Sequence, residues 1–260
     1  MEIFLLGSCS GTEPQPGRHH TSWVLRYHDE LFWFDAGENC SYTAHLIGLD
    51  LRTSRAVFIS HPHLDHVGGL PNLFWTIAKL HRVRQEPWQF ELPVYTPSPA
   101  QTEAVFRMLA ETENPCTSPI VPLHEGIVLP EPIQVEARGN RHLPPKASGE
   151  PRSYSFRITA GGRTIVYSGD VSSIRDLDGW SDRCDLLLME TGHHQPAEVC
   201  RYLAERRAEI GRLIFVHHGR TLLHDPDGVV AACRETVPFP VDAAVDGMRI
   251  ELPETAGGRS

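Results

Sequence analysis

Short apolar runs, separated by polar or glycine-containing turns, recur along the whole chain. Apolar runs of strand length that are bounded by turn residues are typical of β-strands. The pattern predicts strands at 2–6, 22–26, 31–34, 56–59, 92–95, 133–137, 154–159, 164–167, 186–190, 213–216, 241–245 and 248–252. Three short turns predict hairpins between successive strands: residues 28–30, Gly161 with Gly162, and Asp246 with Gly247.

Helical patterns lie between these strands. Ser98 followed by Pro99 is a favourable N-cap and first-turn pair, and it predicts a helix that ends near residue 111. Other helices are expected after Gly69, from Pro196, and over 226–234. The helix from Pro196 has an apolar face of Val199, Tyr202, Leu203 and Ile210. Because hairpins and helices mix in both halves of the chain, the predicted fold class is α+β, a sandwich of two mixed β-sheets with helices outside.

Composition adds limits on size and partners. The 260 residues are 40% hydrophobic and 22% charged, an ordinary globular composition, and we expect one domain over 1–253 with a flexible C-terminal tail over 254–260. The Pro- and Gly-rich stretch 143–151 predicts a mobile loop. A net charge of −9 provides no basic excess for non-specific nucleic-acid binding, while a short or small phosphate substrate stays compatible with it.

The cysteines and the first residues bear on location. Six cysteines lie far apart with no CxxC pair, which predicts the reduced, buried thiols of a cytoplasmic protein. The opening MEIFLLG has no basic region and is too short for a signal peptide or a membrane span. We therefore expect a buried first strand and no association with a membrane.

The segment ISHPHLDHVGGL, residues 59–70, carries the densest chemistry in the chain. Its imidazole and carboxylate groups are the ligands that zinc-like cations prefer. Four such residues in six positions exceed what one tetrahedral ion uses comfortably, so two metal ions about 3.5–4 Å apart are favoured. Further donors follow apolar runs elsewhere: His142, Asp170 and His217, with His218 as the competitor of His217. The alternative is a polar loop whose histidines only form hydrogen bonds.

Together these motifs identify a family. The chain resembles the metallo-β-lactamase-fold superfamily, whose HxHxDH signature is matched by His61, His63, Asp65 and His66. Within it, the chain is similar to the ribonuclease Z-like phosphodiesterase branch, judged by LLGSCSGTEPQPGRHHTSWVL at 5–25, FWFDAGE at 32–38, YSGD at 167–170 and VDGMRIEL at 245–252. The resemblance covers nearly the whole chain and implies a four-layer αββα sandwich with metals at the sheet edges.

The resemblance also implies a set of roles. One ion would be held by His61, His63 and His142, the other by Asp65, His66 and His217, and Asp170 would bridge both. Asp35 would orient a ligand without binding metal. The expected cofactors are two divalent ions, zinc first and manganese second. Asp65 would also hold the nucleophile.

Two departures from ribonuclease Z itself narrow the substrate. Met189, in METGHH at 189–194, stands where the family has a histidine that helps catalysis, and no insertion resembles the arm that grips tRNA. A smaller phosphodiester is therefore favoured over tRNA, with His193 or His194 as the proton donor. His19 and His20 also lie in a loop at the predicted edge of the site, as solvated, structural or substrate-contacting residues.

The expected function is hydrolysis of a small or cyclic nucleotide, or of an RNA end, by attack of a metal-bridging hydroxide. Hydrolysis of a carboxylic ester, lactone or thioester uses the same metals and is the alternative. A non-catalytic metal-binding protein is a further alternative, although structural zinc sites are usually closed and mononuclear. The branch commonly dimerises, so a homodimer is among the expected partners.

Overall fold

The computed structural model describes residues 1–85, 91–112 and 116–255. The strands are β1 (Glu2–Gly7), β2 (Ser22–Tyr27), β3 (Glu30–Phe34), β4 (Ser54–Phe58), β5 (Val94–Thr96), β6 (Ile120–Pro122), β7 (Gly126–Leu129), β8 (Gln134–Gly139), β9 (Tyr154–Ala160), β10 (Arg163–Tyr167), β11 (Arg183–Glu190), β12 (Glu209–Val216), β13 (Val241–Ala243) and β14 (Met248–Glu251). The helices are α1 (Cys40–Leu46), α2 (Leu64–Val67), α3 (Leu70–Val83), α4 (Pro99–Ala110), α5 (Pro196–Glu205), α6 (Arg220–His224) and α7 (Pro226–Thr236).

These elements form two compact units. The first consists of residues 1–123 with 245–251, and the second of residues 124–244 with 252–260. The first unit contains a sheet in the order β14-β1-β2-β3-β4-β5-β6, and the second a sheet in the order β13-β12-β11-β10-β9-β8-β7. Each sheet has seven strands and mixes parallel with antiparallel pairs. The predicted fold class, two mixed sheets flanked by helices, is confirmed.

Helices cover one face of the first sheet. Alternate residues of its strands, such as Trp33 and Val57, enter a buried cluster with Leu73, Phe74 and Ile77 of α3. The spacing of these α3 residues places them on one face of a 3.6-residue helix, which explains why this segment folds as a helix that packs on the sheet. The opposite face of the same strands carries a ladder of stacked rings, formed by Trp23, Phe34, Phe58 and Tyr95.

The second sheet is built on the same principle. Its helix-side cluster includes Leu187 and Met189 of β11, Leu213 and Phe215 of β12, and the buried faces of α5 and α7. Strands β10 to β13 run parallel to one another, whereas β7, β8 and β9 form an antiparallel meander that continues into β10.

Strand direction determines where the polar loops lie in each sheet. In the first, β2 is antiparallel to both β1 and β3, and β4 is parallel to β3, so the loops after β1, β3 and β4 share one edge. In the second, β8, β10, β11 and β12 all run in one direction, so the residues that follow them share one edge as well. Functional residues commonly occupy such loops on a rigid sheet.

Most predicted elements are confirmed, with ends that differ by a few residues. Strands β6 and β7 and the short helices α1, α2 and α6 were not predicted. Ser98 occupies the N-cap of α4, although its side chain makes no capping hydrogen bond. The assignment of Ile210 to the apolar face of α5 was wrong, because the helix ends at Glu205 and Ile210 lies in β12.

The predicted hairpin at Asp246 and Gly247 was also wrong. A turn does form there, but the strands on either side belong to different sheets. Strand β13 pairs in parallel with β12, and β14 pairs antiparallel with β1. Turn-forming residues indicate that the chain reverses; which strand then pairs with which depends on distant residues.

Other expectations concern loops, thiols and the tail. Residues 143–151 contain no helix or strand, as expected for a loop. All six cysteines are free and buried. The tail prediction falls partly outside the described residues: the backbone N–H of Thr255 donates to the carbonyl of Gly161 at 3.0 Å, and 256–260 are not described. Within the described ranges, no helix combines the length and apolar character needed to cross a bilayer.

Candidate metal centre

The HPHLDH segment of the first unit concentrates its donors in one loop and one helical turn. The loop follows β4, and His63 is the N-cap of α2, the single turn that presents Asp65 and His66. The ring centroid of His61 lies 4.6 Å from that of His63 and 4.1 Å from that of His66. His66 Nε2 is 3.5 Å from Asp65 Oδ2. The four predicted ligands of this unit are therefore brought together.

Asp35 fixes the orientation of these rings. It is fully buried at the end of β3, where it accepts hydrogen bonds from the backbone N–H of Ser60 at 2.7 Å, from the Ser60 hydroxyl at 2.8 Å and from Nδ1 of His66 at 2.7 Å. The same hydroxyl lies 3.0 Å from Nδ1 of His61.

This arrangement tests whether the residues suit a metal. Metal-binding histidines almost always donate their second ring N–H to a carboxylate or other acceptor, which fixes the tautomer and leaves the remaining nitrogen for the ion. Asp35 engages Nδ1 of His66 in this way, and Nε2 is the nitrogen on the side of Asp65. The donor set of the first unit therefore fits a zinc-like cation.

Gly11 permits a close approach to Asp65. A Cβ atom at position 11 would lie 2.9 Å from Oδ2 and 3.0 Å from Cγ of Asp65, closer than real Cβ contacts. The loop after β1 thus packs directly against the carboxylate of a predicted ligand. Only glycine fits there without moving that carboxylate.

The second unit assembles its own donor set at one edge of its sheet. Asp170 is buried, and its Oδ2 lies 3.3 Å from Nε2 of His217 and 3.8 Å from Nε2 of His142. Asn140 accepts a hydrogen bond from the backbone N–H of His142 at 3.1 Å, which fixes the turn that carries this histidine. The three outlying donors predicted from the sequence therefore lie together.

His217 and His218 have different surroundings. His218 is buried and its Nε2–H donates to the carbonyl of Ala244 at 2.8 Å, so this ring is tied to the backbone. His217 instead turns toward Asp170, with φ at +47°, a region that few non-glycine residues adopt. A Cβ atom on Gly192 would lie 2.5 Å from Nδ1 of His217, so position 192 also needs glycine.

Glu190 is a site residue that the sequence reasoning missed. It ends β11 fully buried and accepts from the backbone N–H of His193 at 2.9 Å, from His193 Nδ1 at 3.2 Å and from His194 Nδ1 at 2.8 Å. His217 Nδ1 lies 3.8 Å from Oε2 of Glu190, the oxygen that accepts from the backbone N–H of His193. Burial acts to raise the pKa of this carboxyl, but the surrounding histidines outweigh it and hold the pKa far below the ordinary range.

The two candidate proton donors occupy different environments. Nδ1 of His193 is 3.8 Å from Oδ2 of Asp170. Asp170, His193 and His217 each offer one metal-binding atom, and these three atoms lie within 4.8 Å of one another. The hydrogen bond to Glu190 raises the pKa of His193 above its ordinary value. His194 is more deeply buried and is held by Glu190. His193 is thus the donor candidate that contacts the predicted ligands.

Met189 points away from this group. Successive residues of a strand face opposite sides, and Met189 lies in the helix-side cluster with Val199 and Leu203 while Glu190 faces the histidines. Met189 is therefore part of the packed core of this unit and not of the cluster around Glu190.

Comparisons with known proteins agree with this description. A family model described as the metallo-beta-lactamase superfamily matches residues 16–219. A ribonuclease Z of Treponema pallidum (strain Nichols) is 44% identical over 87 residues, which are 34% of this chain and 27% of that protein. The chain thus spans little more than a quarter of the length of this curated relative.

Solved structures extend the likeness over the whole chain. The metallo-beta-lactamase fold protein YhfI from Bacillus subtilis gives a TM-score of 0.74 at 20% identity and covers 96% of this chain and 99% of its own. The short form of human tRNase Z gives 0.72 at 21% identity and covers 97% of this chain and 100% of its own. At these identities the comparison establishes the fold alone.

Proposed function

The chain belongs to the metallo-beta-lactamase superfamily, and from that premise we propose that it is a metal-dependent phosphodiesterase that hydrolyses a small phosphodiester. The observation that carries the proposal is the group formed by Asp170, His193 and Glu190, in which a histidine held by a buried carboxylate lies beside a predicted metal ligand. Hydrolysis of a phosphodiester is assisted by a cation at the phosphoryl group and by a proton donor for the departing oxygen. The curated relative named ribonuclease Z supports the same reaction class.

In this proposal residues 1–253 are a single domain whose donors would hold two divalent ions. His61, His63 and His142 would hold one ion, Asp65, His66 and His217 would hold the other, and Asp170 would serve both. Zinc is the first choice and manganese the second. When bound, such ions supply a water whose pKa is lowered toward neutrality, and they polarise a phosphoryl oxygen.

The remaining steps belong to the chain's own residues. Asp35 and Ser60 hold His61 and His66 in fixed orientations, so little reorganisation is required when the substrate arrives. The carboxylate of Asp65 orients the attacking water. Glu190 favours the protonated form of His193, which then gives its proton to the leaving oxygen of the ester.

The net charge and the sequence between the predicted elements favour a small substrate. The net charge of −9 opposes a long polyanion, and no insertion of this chain resembles a tRNA-gripping arm. A small or cyclic nucleotide, or a short RNA end, is therefore a better candidate substrate than tRNA.

We also propose a cytoplasmic location, because all six cysteines are free and buried. We further propose that the protein is a homodimer, which light scattering after gel filtration would test.

The experiment that tests the function is hydrolysis of bis(p-nitrophenyl) phosphate by zinc-loaded and manganese-loaded protein, with the Asp65→Ala variant as control. The proposal expects two metal ions per chain by elemental analysis and metal-dependent turnover that the variant loses. Two bound ions with no turnover would refute the phosphodiesterase and direct the search to lactones and thioesters. One bound ion with no turnover would indicate a non-catalytic metal protein.

A further inference from the structure

Three buried polar side chains lie in the second unit beside its donor set. Ser168 is the first residue after β10 and stands two positions before Asp170. Asn140 is the first residue after β8 and stands two positions before His142. Ser155 belongs to β9, the strand between β8 and β10 in the sheet. Both serines are fully buried and Asn140 is 7% exposed, and because buried polar groups are nearly always hydrogen-bonded, their partners show what these side chains hold in place.

Ser168 joins the ends of β10 and β11. Its backbone N–H donates to the carbonyl of Leu188 at 3.0 Å. Its hydroxyl accepts from the backbone N–H of Glu190 at 3.0 Å and donates to the carbonyl of Gly169 at 2.6 Å. The chain segment that leads to Asp170 is therefore fixed to the end of the neighbouring strand.

Asn140 holds the turn that carries His142. Its Oδ1 accepts from the backbone N–H of His142 at 3.1 Å, and its Nδ2 donates to the hydroxyl of Ser155 at 3.1 Å. A backbone N–H can only donate, so the amide oxygen has to face His142 and the amide nitrogen has to face Ser155. The backbone N–H of Asn140 also donates to the carbonyl of Ser153 at 2.9 Å. These hydrogen bonds tie the turn to the start of β9.

Ser155 connects these two groups. Strand β9 is antiparallel to β8 and to β10, so its first residues lie at the same edge of the sheet as the ends of those strands. The Ser155 hydroxyl accepts from Asn140 at 3.1 Å and donates its one hydrogen to the carbonyl of Ser168 at 2.6 Å. A single hydroxyl thus links the turn of His142 to the strand end that precedes Asp170.

The link fixes a loop that has no regular structure of its own. Residues 140–153 contain no helix or strand, so no strand pairing holds His142 in place. Nε2 of His142 nevertheless lies 3.8 Å from Oδ2 of Asp170. A binding constellation has to be held to within about 0.5 Å, which requires supporting residues that are themselves locked by hydrogen bonds. Ser155 meets that requirement.

Resting on the ligand set of the proposed function, we propose that Ser155 is a positioning residue for the metal centre. Its hydroxyl holds the His142 turn against the strand end of Asp170, so that both side chains reach one cation. Because this hydroxyl is buried and bonded on both sides, Ser155 acts through His142 and not on the metal or the substrate directly.

The test measures the zinc affinity of Ser155→Ala by competition with a chromogenic chelator. The substitution leaves the amide N–H of Asn140 and the carbonyl of Ser168 without this partner. Loss of a residue that orients a ligand typically lowers metal affinity about 10–100-fold, which is the expected rise in the zinc Kd. Asn140→Ala removes the same connection from the loop side, should raise the Kd to a similar extent, and carries the test if Ser155→Ala does not fold. Since both changes break one connection, the double variant should show about the larger of the two single losses.

Ser54→Ala is the matched control. Ser54 is also fully buried, accepts from Nε1 of Trp33 at 2.9 Å and donates to the carbonyl of Leu51 at 2.6 Å. It begins β4, at the opposite end of that strand from the HPHLDH loop. Its urea midpoint should fall as that of Ser155→Ala does, while its zinc Kd stays within twofold of the wild type. A rise in Kd common to both serine variants would show a general loss of packing and overturn the positioning role.

Turnover of bis(p-nitrophenyl) phosphate separates this inference from the proposed function. If the wild type hydrolyses that ester and both Ser155→Ala and Asn140→Ala bind zinc within twofold of it, the positioning role alone is overturned. Losses of affinity that simply add in the double variant overturn it as well. Zinc binding without turnover overturns the phosphodiesterase alone, and a wild type that binds no zinc overturns both.

Discussion

Replacing Asp35 with asparagine removes one negative charge from the interior of the first unit while leaving the side-chain shape almost unchanged. The residue is fully buried and accepts three hydrogen bonds, two from Ser60 and one from His66. Its φ of +57° is a left-handed value that asparagine also tolerates, so the substitution adds no backbone strain. The change is therefore confined to charge and hydrogen bonding.

The magnitude follows from these three contacts. The oxygen of the new amide, in the place of Oδ1, still accepts from the backbone N–H of Ser60. The amide nitrogen then takes the place of Oδ2, faces the Ser60 hydroxyl and Nδ1 of His66, and accepts from neither. A buried polar group left unsatisfied costs about 1–3 kcal/mol, which is the expected loss in the free energy of unfolding of the metal-free protein. His66 also loses the partner that fixes its tautomer, and loss of such a partner typically lowers metal affinity about 10–100-fold.

Two measurements test this expectation. Zinc affinity is measured by competition with a chromogenic chelator, and the free energy of unfolding by urea titration of the metal-free protein. Asp29→Asn is the control, since Asp29 is left-handed, exposed and remote from the donor set, and it should change stability by less than about 0.5 kcal/mol. If Asp35→Asn binds zinc within twofold of the wild type, the argument that Asp35 orients His66 for a metal is refuted.

Three other perturbations address the rest of the centre. Glu190→Gln removes the charge that raises the pKa of His193, so hydrolysis of an alkyl phosphodiester should fall more than that of a p-nitrophenyl ester, whose leaving group needs no proton. Equal losses for the two esters would contradict the assignment of His193 as the proton donor. Gly192→Ala places a Cβ atom 2.5 Å from Nδ1 of His217 and should displace that ring. The zinc content measured by elemental analysis should fall, while the circular dichroism spectrum stays that of the wild type. A variant that still binds the full complement of zinc would contradict the assignment of His217 as a ligand. Chelation should lower the melting temperature, and zinc at 100 times its Kd should restore about 2.7 kcal/mol of stability; a melting temperature indifferent to metal would argue against two ions.

The strand-end donors could be predicted because two local signals coincide at each of them. Asp170 and His217 each follow a run of apolar residues that is buried in a central strand, and such runs are recognisable from composition alone. A polar residue at the end of a buried run lies in the loop at the sheet edge, where strands of the same direction bring their loops together. The local sequence therefore predicts both the buried strand and the polar residue that lies at its end.

Other features depend on contacts between distant residues and left no local signal. Glu190 ends an apolar run in the same way as Asp170, but its importance comes from the three histidines that surround it in the folded unit. The turn at Asp246 was recognisable, whereas the separation of β13 from β14 into different sheets was not, because pairing with β12 and β1 is decided by residues far along the chain.

Backbone conformation links these donors to the stability of the fold. Asp35, Asn39 and His217 all adopt positive φ at the ends of strands or in the loops after them, and a non-glycine residue held there costs about 1–3 kcal/mol. Glycine would remove that cost, yet it would also remove the carboxylate that holds His66, the amide beside His19 and the imidazole beside Asp170. Asparagine, aspartate and histidine are the types that tolerate this conformation best, so these loops use the residues that can combine a left-handed turn with a polar side chain. The strain lies where the side chain is needed, and the buried sheet beneath each loop supplies the stability that offsets it.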